Sequence, residues 1–172
     1  MKKSLKREAR RRGGTFLLKL GVSAAVLALC GALLQYVTRP YRVARTEREA
    51  NAILLAIIRE QETSLYRDQW LEYAIQRLRE ARELDSMYQR THLLLGAAYL
   101  LKGKPQIAME SYKAAEVVRR DHKLYTNMGF CYMQMGELKR AREYLELALS
   151  IAPDFPEAVD YLAELKKKET AR

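Results

Sequence analysis

Two stretches of this chain keep step with each other at a distance of 33 residues, and that step excludes most folds. Tyr125, Met128, Gly129, Tyr132, Gly136, Ala141, Leu145, Ala148 and Pro153 stand 33 positions after His92, Leu95, Gly96, Tyr99, Gly103, Ala108, Tyr112, Ala115 and Arg120. Five of the nine pairs are identities, and two more keep their apolar character. A repeat of this size, with helical spacing inside each unit, indicates stacked helical units that share a continuous core.

Glycine inside a helix costs roughly 1 kcal/mol relative to alanine, so Gly96 and Gly129 need a packing reason. The spacing predicts that each lets its helix nest closely on a following helix that presents Ala108 or Ala141. Tyr99 and Tyr112, then Tyr132 and Leu145, supply bulk beside the small residues, which fills a helix–helix seam at native density. Gly103 and Gly136 fall where the first helix of each unit must stop and suit a C-terminal cap. Pro105 suits the first turn of the next helix.

These units resemble the tetratricopeptide repeat. His92-x2-Leu95-Gly96-x2-Tyr99 with Ala108-x3-Tyr112, and Tyr125-x2-Met128-Gly129-x2-Tyr132 with Ala141-x3-Leu145 and Pro153, follow that family's pattern. The step is one short of the family's usual length, a departure placed near Asp121. The expected fold is all-α: a short solenoid with repeats at 89–121 and 122–155, a degenerate first repeat at 46–88, and a capping helix and tail at 156–172. In the first repeat Ala74, Leu78 and Ala81 keep step, while Gln61 and Glu62 stand where Leu-Gly belongs. Trp70 is expected on the apolar face of that repeat's second helix. Thr46 with Glu49 reads as a capping box, and Asp154 with Glu157 as the cap of the last helix.

By register, the resemblance implies a groove for a peptide or an amphipathic helix. It is lined by Arg90, Leu93, Ala97 and Leu100 from one unit and Lys123, Asn127, Phe130 and Met133 from the next. The family's binders of chaperone C-termini need polar groups where this chain has Leu93, Ala97, Thr126 and Phe130, which argues against that ligand. An apolar floor suits an amphipathic helix. The same residues are equally consistent with cover from the chain's own helix 46–66 or from a second copy, so a homo-oligomer stays open.

The basic balance of the chain is concentrated at one end. Residues 1–19 carry eight basic side chains against Glu8 alone, which accounts for seven of the ten net positive charges. A nucleic-acid face is therefore not expected. Leu20–Thr38 holds no charged residue, and residues 16–38 read as a single transmembrane helix of about bilayer length, ended by Arg39 and Pro40. A basic tail at 1–15 and a connector at 39–45 flank it. The positive-inside rule then places the N-terminus in the cytoplasm and the repeats in the periplasm, anchored in a bacterial inner membrane.

No catalytic constellation is present. His92 and His122 belong to no metal motif, Cys30 and Cys131 cannot pair, and no glycine-rich phosphate loop occurs, so neither metal nor cofactor is expected. The function expected is a membrane-anchored scaffold that assembles or stabilises an envelope complex through protein–protein contact. The alternatives are a cytoplasm-facing regulatory adaptor and a non-catalytic subunit of a membrane enzyme complex.

Overall fold

Every described element is a helix. The computed structural model describes residues 2–59 and 66–170, with side chains for residues 24–59, 66–168 and 170. The helices are α1 (Lys2–Arg59), α2 (Arg67–Leu84), α3 (Gln89–Leu101), α4 (Pro105–Val118), α5 (His122–Gln134), α6 (Leu138–Ile151) and α7 (Pro156–Thr170). The chain divides into two compact units, Met1–Pro40 and Tyr41–Arg172.

In the second unit, α3 pairs with α4 and α5 with α6, and successive pairs stack through α2 on α3, α4 on α5 and α6 on α7. The two glycines explain how closely the pairs approach. A Cβ on Gly96 would sit 2.5 Å from Tyr112 Cζ and 2.6 Å from Cδ1, and one on Gly129 would sit 2.7 Å from Leu145 Cγ and 3.2 Å from the Ala141 carbonyl oxygen. Both glycines are buried. The nesting is the expected one, but the groups that occupy the missing side chain's space are the bulky Tyr112 and Leu145. Ala108 and Ala141, both fully buried, keep the facing helix thin enough for that insertion.

Chain reversal within each pair is set by the expected glycines. Gly103 and Gly136 have φ of 70° and 77°, a region that costs a side-chain-bearing residue free energy and glycine little. Lys104 N–H donates to Tyr99 O (2.9 Å) and Gly103 N–H to Leu100 O (2.9 Å), and Glu137 and Gly136 repeat the pattern onto Tyr132 and Met133 (3.0 and 3.1 Å). This is the Schellman arrangement, which satisfies carbonyls that a helix end leaves over. Pro105 opens α4. Asp121 caps α5, accepting the Leu124 N–H at 2.9 Å.

The N-terminal region departs from the expectations. Among the described residues, no helix is long and apolar enough to cross a membrane. Side chains 16–23 of the expected span lie outside the described residues. The placement as a single-pass inner-membrane protein with periplasmic repeats is thereby overturned. Pro40 does not end α1 either, nor is 39–45 a separate connector: the helix runs through both. Thr46 is consequently a mid-helix residue whose Oγ1 donates to Arg42 O (2.9 Å), not a cap. Beyond Pro40 the helix is held by a buried face of Val43, Ala50 and Leu54.

Smaller differences follow from the helix faces. Ile58 and Trp70 point outward, Trp70 meeting the edge of Tyr73 at 6.3 Å. Leu71, Ala74, Ile75, Leu78 and Ala81 carry the core face of α2. Gln61, Glu62 and Leu65 lie outside the described residues. α7 opens at Pro156, beyond Asp154, and buries Ala158 and Leu165 while Val159 stays exposed.

Candidate functional site

The candidate site is built on α3 and α5, which occupy equivalent places in successive pairs. Leu95, Ala98 and Tyr99 turn one side of α3 into the core. Leu93, Ala97 and Leu100 stand at i, i+4 and i+7 on another side and are half-buried. That spacing forms a single stripe along the helix. Arg90, one turn earlier, is exposed.

Polar contacts fix the start of α3. The Thr91 hydroxyl, fully buried, donates to Glu47 Oε1 of α1 at 2.5 Å, and Arg90 Nε lies 4.0 Å from Glu47 Oε2. Burial pushes the Glu47 carboxyl above the usual carboxylate range, with the Thr91 hydrogen bond and the Arg90 charge pulling the other way. Gln89 Nε2 donates to Arg119 O (2.8 Å) and to Asp121 Oδ2 (3.2 Å), which ties α3 to the cap of α5. Partial burial works against the Asp121 carboxylate, but hydrogen bonds from Leu124 N–H, Arg119 and Gln89 outweigh it and hold its pKa below the ordinary value.

α5 repeats the stripe with less of it open. Lys123 is exposed and Asn127 half-buried. Met133, expected to line the groove, is a core residue at 5% exposure, and Thr126 is buried with its hydroxyl on His122 O (2.8 Å). Phe130 stacks on Tyr161 of α7, ring centroids 4.6 Å apart, and His122 meets the edge of Phe155 at 4.6 Å. The expected floor is therefore split: the α3 stripe stays half-open, while α7 closes over the α5 stripe.

Two residues that matter here escaped the sequence reading. Tyr161 was within reach, because the same step of 33 applied once more from Met128 lands on it and places α7 where a further first helix would stand. Glu47 carried no local signal. Cys131 is buried, its thiol donating to Pro105 O (3.0 Å) and pushed up by burial to about 11. Cys30 is exposed. Among the described residues, no three His, Cys, Asp or Glu side chains are grouped so as to hold a metal ion.

Comparison with known proteins agrees with this geometry. The family model described as "Tetratricopeptide repeat" matches residues 122–155. The chain carries a tetratricopeptide repeat. A thermophilic tetratricopeptide protein of Thermus thermophilus superposes with a TM-score of 0.65 at 23% identity, over 75% of this chain and 66% of that one. The tetratricopeptide domain of Arabidopsis OM64 gives 0.62 at 18%, over 76% and 98%. The Yersinia enterocolitica type III secretion chaperone SycD, solved with a peptide of the translocator YopD, gives 0.53 at 23%, over 69% and 93%. At these identities the likeness establishes the tetratricopeptide fold. In sequence, the chain is 38% identical over 64 residues to the BBSome complex member BBS4 of Bos taurus, a match that covers 37% of this chain and 12% of that protein.

Proposed function

We propose that the tetratricopeptide domain is a protein-binding module that takes an amphipathic helix or peptide along α3. The observation that carries this reading is the half-open stripe Leu93–Ala97–Leu100, bordered by the exposed cations Arg90 and Lys123. A partner that lays apolar side chains at helical spacing on the stripe, with acidic groups toward the two cations, matches both features. Asn127 offers the ligand backbone a donor and an acceptor, and Phe130 forms the wall where α7 begins its cover. The Yersinia chaperone, with its bound translocator peptide, gives a precedent for peptide capture on this fold. Related domains have been solved with HSP70 and HSP90 peptides. Leu93 and Ala97, with the buried Thr126 and the stacked Phe130, leave no set of polar side chains to clamp a terminal carboxylate in this chain.

Photo-crosslinking tests the reading. A crosslinker at position 97 is expected to give a discrete partner adduct that Leu93→Glu removes. The same crosslinker at the exposed position 117 is expected to give none. An adduct that survives Leu93→Glu would show that the stripe is not the binding face.

A further inference from the structure

α1 and α2 border an open cavity of about 590 Å³ whose lining includes Arg42, Arg45, Arg77, Glu80 and Glu83. In the sequence, Arg39, Arg42, Arg45 and Arg48 are half offset by Glu47 and Glu49. The structure removes much of that offset. Glu47 is withdrawn from solvent, 3% exposed and tied to Thr91. Glu49 is occupied on both sides, by Arg45 Nε and Arg77 Nη2, each at 3.0 Å. Glu80 takes the remaining arm of Arg77, Nη1, at 2.5 Å.

Two donors are left over at the cavity. Arg77 Nε is buried and has no hydrogen-bond partner among the described residues. Arg42 has no ion-pair partner among them. A buried N–H without an acceptor is costly, and guanidinium groups favour planar carboxylates that can meet two donors at once. Glu83, also without an ion-pair partner among the described residues, stands in the same cavity as an acceptor. It disfavours a small bare anion and suits a ligand that brings N–H donors with its negative charge.

We propose that this cavity binds an acidic segment of another polypeptide. Its carboxylates meet Arg42, Arg45 and the free N–H of Arg77, and its backbone N–H meets Glu83. No contiguous acidic run in this chain offers that ligand to a second copy: its net charge is +10, and nowhere in it are two acidic residues adjacent. The site is separate from the stripe on α3 and does not depend on it.

The test uses the full chain and a fluorescent, end-capped peptide of six acidic residues, followed by anisotropy at low and at physiological salt. Binding is expected to weaken steeply with salt, as for exposed charges. The double variant Arg42→Ala/Arg45→Ala is expected to lose at least tenfold in affinity, with helicity checked by circular dichroism. Lys139→Ala, which removes an exposed charge elsewhere, is expected to change little. Inorganic phosphate is expected to compete poorly with wild type and better with Glu83→Gln. Leu93→Glu is expected to leave this binding intact, which separates the cavity from the α3 stripe. Equal losses in the arginine and Lys139 variants would reduce the effect to diffuse charge and overturn the proposal. Displacement by phosphate at concentrations matching the peptide's would make the site one for small anions and overturn it too. Loss of binding on Leu93→Glu would show that the cavity is not an independent site.

Discussion

Gly96→Ala offers a direct test of the seam. The added methyl would stand 2.5 Å from Tyr112 Cζ and nearer still to Cε1, at least about 1 Å inside ordinary carbon contact distance. Tyr112 is 1% exposed and has no room to withdraw. Overpacking of this kind costs about 1–3 kcal/mol, and a clash with a fully enclosed ring belongs at the upper end, about 3. Alanine returns roughly 1 kcal/mol through helix propensity, so the net expected loss is about 2 kcal/mol. Urea denaturation followed by circular dichroism reads this as a fall in midpoint at constant slope. A second background isolates the contribution of the Tyr112 ring. Tyr112→Ala alone is expected to cost about 3–5 kcal/mol, but it empties the space that the methyl needs. In that background Gly96→Ala is expected to become stabilising, by up to about 1 kcal/mol. If Gly96→Ala costs the same in both backgrounds, the ring is not what excludes the methyl, and the account of the seam fails.

Gly129→Leu is expected to abolish cooperative unfolding, because the Ala141 carbonyl oxygen at 3.2 Å is backbone and cannot step aside; an unchanged thermal midpoint would refute this. Asp121→Ala removes the α5 cap and is expected to cost about 1 kcal/mol. Because the Asp121 pKa is held below its ordinary 3.8, its contribution is present above that value and is lost as pH falls through the lower folded value. The variant should therefore show a shallower acid limb than wild type in stability measured against pH. Glu47 has the opposite sign. Its folded pKa is raised above 4.5, so its contribution is present below pH 4.5 and lost as pH rises through the folded value. Glu47→Gln keeps an acceptor for Thr91 and should flatten that decline; an identical decline in the variant would place the titrating group elsewhere.

The parts of this protein that were legible in its sequence are those decided over short separations. Gly103 and Gly136 terminate their helices through their own backbone freedom and bonds reaching at most five residues back. Gly96 with Tyr112 and Gly129 with Leu145 meet 16 residues apart across one tight turn, so small-against-large matching within a single repeat suffices to specify each seam. Even so, periodicity identified the faces without assigning the partner: the insertion of Tyr112 and Leu145, in place of contact with alanine, required coordinates. The N-terminal reading failed for a related reason. Arg39 and Pro40 are a strong local stop signal, yet helix continues beyond them, and a face of Val43, Ala50 and Leu54 buried in the core holds it there. A proline's local cost of about 3 kcal/mol can be outweighed by burial, and burial is not a local property.

The candidate surface depended on tertiary structure almost entirely. The register assigned α3 and α5 the same stripe, but the two differ because α7 lays Tyr161 on Phe130 and adds cover over α5. Thr91 finds the Glu47 carboxylate across 44 residues of sequence, and that contact withdraws from solvent one of the two carboxylates that offset Arg39, Arg42, Arg45 and Arg48. By itself the sequence determined that helices pair, where they turn and which residues must be small, since those follow from backbone conformation and neighbouring volume. Only the packed structure decided which faces stay open and which charges remain free, because desolvation and pairing depend on groups that the chain brings together from far apart.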